Sequence, residues 1–210
     1  MLQIIILLMN LLISSIGQAQ SFEGKITYRV EIKNADSNKI PDSVFNIMYE
    51  GAPTVTYTYY YKDNRYKSVS DGEIKTVQIY DPSENRIYSY TEGTEVAFWS
   101  EWNKQTTIEK VDKAETILGI ECSTIIMRTN NSETTLYYPL NYKIDISKLK
   151  EANAWEKYLK VAGTAPLKYI ISGGGAVHVT VLTATAVTEE KLDDDFFNLP
   201  KFKQILKSPF

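Results

Sequence analysis

The stretch FEGKITYRVEIK, residues 22–33, alternates without a break between apolar or small side chains and polar ones. The first set is Phe22, Gly24, Ile26, Tyr28, Val30 and Ile32, and the second is Glu23, Lys25, Thr27, Arg29, Glu31 and Lys33. A period of two residues is typical of an antiparallel strand with one buried face and one face in water. The stretch therefore predicts a sheet that packs its inner face around a core.

Other segments of the chain predict more strands of the same kind. Two hairpins are expected over 73–93 and 115–140, because turn-forming residues at 81–85 and 129–132 separate runs rich in β-branched and aromatic residues. Further strands are predicted for VFNIMYEG (44–51), TVTYTYYYK (54–62), EVAFWSEW (95–102) and AVHVTVLTATAVTEE (176–190). The fold class is thus mainly β, with seven to ten antiparallel strands. A short turn or helix and an apolar docking segment are expected over 191–207.

One segment follows a helical period instead. In SKLKEANAWEKYLKVAG, residues 147–163, a single face carries Leu149, Ala152, Trp155, Tyr158 and Leu159. Ser147 is the predicted N-cap, and Gly163 is the predicted end of the helix. We expect this one amphipathic helix to cover the concave face of a curved, unclosed sheet, because a large sheet must bury its apolar face.

The N-terminal segment MLQIIILLMNLLISSIGQAQ predicts export. An apolar run is followed by Gly17 and Ala19 at small-residue positions, which indicates a signal peptide over 1–19 that is cleaved before Gln20; an uncleaved anchor is the alternative. Residues 20–210 are then expected to form one domain without a stable membrane span. The expected location is the periplasm, with secretion or association with the cell surface as alternatives. The net charge of −3 argues against binding of nucleic acid.

No catalytic or metal-binding motif stands out, so we expect neither an enzyme nor a cofactor. The single cysteine, Cys122, lies in a strand pattern and is interpreted as a packed, inert thiol. The single histidine, His178, has no Ser/His/Asp context. The run Asp193–Asp195 lacks the ligand spacing of a calcium loop, and the segment SGGGA at 172–176 lacks the Lys-Ser/Thr of a phosphate loop.

Aromatic residues supply the candidate ligand-binding side chains. Several tyrosines are spaced so that they share one strand face. Tyrosine and tryptophan side chains both offer apolar area with a polar tip, which suits a cavity or an interface. The candidates are Tyr57, Tyr59, Tyr61, Trp99, Trp155, Leu159 and His178. The alternative for the tyrosines is ordinary cross-strand packing on a sheet.

Three segments together resemble a known family. FEGKITYRV after the signal segment, the central TILGIECSTIIMR and the closing FFNLPKFK are similar to those of uncharacterised exported proteins of Gram-negative bacteria, whose domain of unknown function is related to the LolA/LolB-like lipoprotein-carrier fold. Gly119 and Cys122 match the family's central glycine and cysteine. The resemblance implies an unclosed half β-barrel with helical cover, and a hollow that holds acyl chains in LolA-like carriers or that serves protein partners in some relatives.

Two functions follow as hypotheses. The first is a periplasmic protein that binds a lipid, an acyl chain, an acylated protein or another hydrophobic ligand in a cavity of roughly 300–1,000 Å³. The second is a protein-interaction module of the cell envelope without a small ligand, which predicts an exposed apolar patch or edge strand. A hollow solidly filled by side chains would exclude the first.

Overall fold

The computed structural model describes residues 21–36, 39–49, 55–101, 105–150, 153–173 and 177–209. The predicted signal peptide lies outside these ranges. The strands are β1 Gly24–Asn34, β2 Thr56–Lys62, β3 Arg65–Asp71, β4 Thr76–Asp81, β5 Arg86–Thr91, β6 Val96–Glu101, β7 Thr107–Ile117, β8 Ile120–Arg128, β9 Ser132–Pro139, β10 Lys168–Gly173, β11 His178–Glu189 and β12 Gln204–Lys207. These described strands form a single sheet, in the order β12-β6-β5-β4-β3-β2-β1-β11-β10-β9-β8-β7.

Strand β1 lies at the centre of the sheet, and its first half has the faces that its sequence predicts; Ile32, expected on the apolar face, is 39% exposed. Phe22, Ile26 and Tyr28 are almost completely buried, whereas the alternate positions are partly or fully exposed. Gly24 is necessary beside β11, because a Cβ atom there would overlap the carbonyl oxygen of Thr188. The mainly β fold class and the two predicted hairpins are therefore confirmed, with β4 and β5 as the first and β8 and β9 as the second.

The sheet is strongly curved but not closed. Strands β2 and β10 are separated by β1 and β11, so on a flat sheet they would be roughly 14 Å apart at about 4.8 Å per strand. The ring centroids of Tyr59 on β2 and Tyr169 on β10 are nevertheless only 6.2 Å apart. Strands β12 and β7 lie at the two ends of the order and are not paired with each other in the described chain. The sheet is thus an unclosed half-barrel, as expected.

Three details differ from the sequence-based predictions. The described strands number twelve rather than seven to ten, and residues 44–48, which we expected in a strand, belong to helix α1, Asp42–Met48. Helix α2 spans Ala154–Ala162 and begins after the N-cap Asn153, not after Ser147. Its predicted end is confirmed, because Gly163 caps the helix in the left-handed conformation. Ala152 lies outside the described residues. None of the described helices is long and apolar enough to cross a membrane.

The C-terminal segment crosses the convex side of β2–β6. Its 3-10 helix, Asp194–Phe197, is held by ion pairs from Asp194 to Lys62 and Arg65 at 3.1 and 2.6 Å. The Phe196 ring contacts Tyr60 at 4.8 Å, which confirms the predicted apolar docking. Residues 204–207 then add β12 beside β6 in parallel. Asp194 and Phe196 therefore anchor this segment to the outside of the sheet.

Candidate functional site

A cluster of aromatic side chains occupies the concave face of the sheet. Helix α2 brings Trp155 onto Tyr61, Tyr66 and Tyr158, with ring centroids 6.0, 5.6 and 5.4 Å apart. Tyr59 extends the cluster to Tyr66 on the neighbouring strand, at 5.8 Å. Such tilted and stacked contacts stabilise a core beyond the burial of apolar area. One end of the hollow is therefore closed by packed rings rather than open to solvent.

A cavity of about 190 Å³ remains next to this cluster. Its aromatic lining consists of Tyr59, Tyr61, Tyr66, Trp155, Tyr158 and Tyr169. Its other lining residues are Gln78, Ile87, Met127, Thr134, Leu136, Ile171 and Leu182. We call this space the inner cavity. The hollow is thus partly filled by side chains but not solidly packed.

The inner cavity reaches the surface on the side away from α2. Its closed end contains Trp155 and Tyr61, which are 4% and 0% exposed, whereas Ile171 is 38% exposed and Gln78 is also exposed. Gln78 also lines a second, shallower space of about 480 Å³, which we call the outer groove. The two spaces meet at Gln78, so the concave face offers a trough that runs from a closed apolar end to solvent.

A buried polar network fixes the helix that closes the trough. The Asn153 side-chain oxygen accepts a hydrogen bond from the Glu156 amide at 2.9 Å, and its amide group donates to the Tyr80 hydroxyl at 2.7 Å and to Asn85. The Glu156 carboxyl accepts from the Tyr80 hydroxyl at 3.2 Å and from the Lys150 amide at 3.1 Å. These bonds tie α2 to β4 and to the turn after it, so the position of Trp155 is set by long-range contacts.

Burial keeps the tyrosine hydroxyls of the trough protonated. Desolvation raises the pKa of Tyr59 to about 12 and raises the pKa values of Tyr61 and Tyr169 well above their usual value. The hydroxyls of Tyr61 and Tyr169 lie 3.3 Å apart. The lining is therefore uncharged at neutral pH, with hydroxyl groups as its polar elements along with Thr134 and Gln78.

The structure brings together three of the seven residues proposed from the sequence. Tyr59, Tyr61 and Trp155 line the inner cavity. Tyr57 lines the outer groove, with its ring 6.4 Å from that of Tyr59, and Leu159 is completely buried in the core.

Two of the proposed residues lie away from the trough. The Trp99 ring contacts two cationic side chains, with Arg86 at 4.1 Å and Lys207 at 5.2 Å from its centroid. The hydroxyl of Tyr49 lies 3.0 Å from His178 Nδ1, at the start of β11. Neither residue lines the inner cavity or the outer groove.

Sequence reasoning did not select several lining residues. Tyr66 and Tyr169 stand singly in RYKSVSD and KYIISG, without the repeated tyrosines that marked β2. Both lie on the concave face because of strand pairing: Tyr66 pairs with Tyr61, and Tyr169 pairs with Leu136 and Leu182. A period-two pattern of Tyr66, Ser68 and Ser70 was the available signal, and all three are buried.

Cys122 is packed, as the sequence indicated. The side chain is completely buried, and this burial raises the pKa of the thiol to about 11. At pH 8 only about one thiol in 1,000 would then be ionised, and the thiolate is the reactive form. We expect iodoacetamide at pH 8 to leave the native protein unlabelled and to add one label in denaturant, as read by mass spectrometry. Rapid labelling of the native protein would contradict the packed interpretation.

No family model matches this chain, and no curated protein matches it. Solved structures do match. The structure of PNGF-II has a TM-score of 0.51 at 14% identity over 90% of this chain, which spans only about a third of PNGF-II (31%). An uncharacterised conserved protein from Thermus thermophilus has a TM-score of 0.45 at 12% identity, with 89% of this chain and 91% of that chain covered.

A LolA superfamily protein from Nitrosomonas europaea is also among the matches, with a TM-score of 0.35 at 8% identity and coverage of 85% and 91% of the two chains. Members of the LolA superfamily are thus among the structural neighbours, as the sequence resemblance predicted. Identities this low concern the fold alone, and TM-scores below 0.5 describe a loose overlap from which nothing about function follows.

Proposed function

We propose that this chain is an exported, non-enzymatic binding protein that holds the apolar part of a ligand in the trough. The ligand would be a lipid, an acyl chain, the lipid part of an acylated protein or another hydrophobic molecule. The observation that carries the proposal is the inner cavity, an apolar and aromatic space next to α2 that opens toward Gln78 and Ile171. Ligand sites of this type are mostly apolar, with a few polar groups that fix orientation.

The size of the two spaces limits what the inner cavity holds. At about 190 Å³ it is smaller than the roughly 300–1,000 Å³ of a drug-sized site. An apolar cavity of roughly 150 Å³ is sufficient for one benzene molecule. The inner cavity therefore suits one ring or the end of one chain, and the rest of a longer ligand would follow the outer groove of about 480 Å³.

The proposal predicts that filling the inner cavity removes binding. Thr134→Phe places a phenyl ring among the lining residues, so we expect at least about a tenfold loss of ligand occupancy. The measurement is native mass spectrometry of the protein from its own cell envelope, with organic extraction of the bound molecule. Thr135→Phe is the matched control, because the neighbouring side chain in a strand points to the opposite face. Equal adducts in both variants, or an empty wild-type protein, would contradict the proposal.

A second candidate function is an interaction module of the cell envelope. It is favoured by strand β12, whose outer edge is unpaired in the described chain and whose Ile205 and Leu206 are 46% and 45% exposed. An exposed strand edge can pair with an extended segment of another protein. Capture of one envelope protein by the wild-type chain, lost when Leu206 is replaced by proline, would favour this function.

A further inference from the structure

The Tyr66 hydroxyl differs from those of Tyr61, Tyr158 and Tyr169, which also line the inner cavity. Tyr66 is only 4% exposed and lines the cavity, yet its hydroxyl has no hydrogen-bond partner within the ranges that the structure describes. By contrast, Tyr158 donates to the Thr164 carbonyl at 2.9 Å, and Tyr61 is paired with Tyr169. Buried polar groups in proteins are normally hydrogen-bonded. An unpaired hydroxyl in a cavity wall therefore points to a partner that comes with the ligand.

The trough also constrains the charge of that ligand. Within the part of the chain that the structure describes, no Lys, Arg, His, Asp or Glu lines the inner cavity or the outer groove. An ionised group placed in the inner cavity would lose its hydration without gaining a counter-charge, which is strongly unfavourable. Burial raises the pKa of Tyr66 well above its usual value, so its hydroxyl keeps its proton and donates.

We propose that the inner cavity selects an uncharged molecule whose apolar ring or chain end carries one hydrogen-bond acceptor, a carbonyl or ether oxygen, paired with the Tyr66 hydroxyl. This inference rests on the proposed function and narrows its ligand class. A protein with this preference differs from one that binds any hydrocarbon. It also differs from one that binds a free fatty acid with its carboxylate inside the inner cavity.

Three probe molecules with nearly the same shape test the inference. Acetophenone has a neutral carbonyl oxygen, α-methylstyrene has a CH₂ group in the same place, and benzoate replaces the methyl group with a charged oxygen. Isothermal titration of the full chain with each probe is expected to give about tenfold tighter binding of acetophenone than of α-methylstyrene, and no detectable binding of benzoate.

Tyr66→Phe removes the hydroxyl but keeps the ring. In this variant, acetophenone is expected to bind as weakly as α-methylstyrene, whose affinity is unchanged, and the protein is expected to be at least as stable as the wild type. Tyr60→Phe is the matched control, because Tyr60 packs on Phe196 outside the trough. It should retain the preference for acetophenone.

The outcomes separate the two proposals. Equal affinities for acetophenone and α-methylstyrene in the wild type would overturn the inference and leave the proposed function in place. A preference that persists in Tyr66→Phe, or benzoate as the tightest probe, would also overturn it. Absence of binding by all three probes would count against the inner cavity as a ligand site, and hence against both proposals.

Discussion

Replacement of Trp155 by alanine is expected to lower the free energy of unfolding by about 3–5 kcal/mol, the usual cost of removing a buried large aromatic side chain. Trp155 is 4% exposed, its ring contacts Tyr61, Tyr66 and Tyr158, and its indole nitrogen donates to the Asn64 carbonyl at 3.3 Å. The variant loses this packing and leaves the Asn64 carbonyl without its donor. Urea unfolding followed by circular dichroism measures the change.

Trp99→Ala is the matched control for this prediction. The Trp99 ring contacts two cationic side chains, Arg86 and Lys207, and lies outside the aromatic cluster. Cation–π contacts at exposed sites contribute about 0.5–1 kcal/mol each, so we expect a total cost of about 1–2 kcal/mol. If Trp99→Ala destabilised the protein as much as Trp155→Ala, the cluster under α2 would not be the centre of the core.

Asn153→Ala is expected to cost about 2–4 kcal/mol of unfolding free energy. Loss of an N-cap costs about 0.5–2 kcal/mol, and loss of a partner for a buried polar group adds about 1–3 kcal/mol. Asn153 is completely buried, caps α2 through its hydrogen bond from Glu156, and donates to Tyr80. Thermal or urea unfolding would show the effect.

Asn153→Ser separates the two roles of this residue. Serine supplies an N-cap oxygen but cannot donate to Tyr80 and Asn85 together, so we expect it to recover about half of the lost stability. A cost below about 0.5 kcal/mol for Asn153→Ala would mean that the network does not hold the helix. Full recovery in Asn153→Ser would mean that capping alone matters.

The sequence allowed prediction of the parts of the fold that local patterns determine. The buried face of β1, the turns at 81–85 and 129–132 and the helix end at Gly163 follow from period two, turn residues and a left-handed glycine. Residues 44–48 were misassigned because a short apolar run with β-branched residues does not distinguish helix from strand. In the structure only Phe45 of α1 is buried, and Pro41 precedes its first residue.

The site depended on information that local patterns lack. Ser147 and Asn153 are both good N-cap residues, and the choice of Asn153 follows from its bonds to Tyr80 and Asn85, about 70 residues earlier in the chain (separations of 73 and 68). Likewise, Tyr59 and Tyr169 meet only because the sheet curves. Repeated tyrosines led to Tyr59 and Tyr61, whereas Tyr66 and Tyr169 required knowledge of strand pairing.

Methionine methyl groups offer the most direct test of the central claim that the inner cavity holds an apolar group. Met127 lines the cavity, whereas Met48 lies on α1 and is 58% exposed. In a chain labelled with ¹³C-methyl methionine, titration with acetophenone and α-methylstyrene is followed by two-dimensional NMR. The account predicts a saturable shift of the Met127 signal with Met48 unchanged. An unmoved Met127 signal at millimolar concentrations of both probes would contradict it.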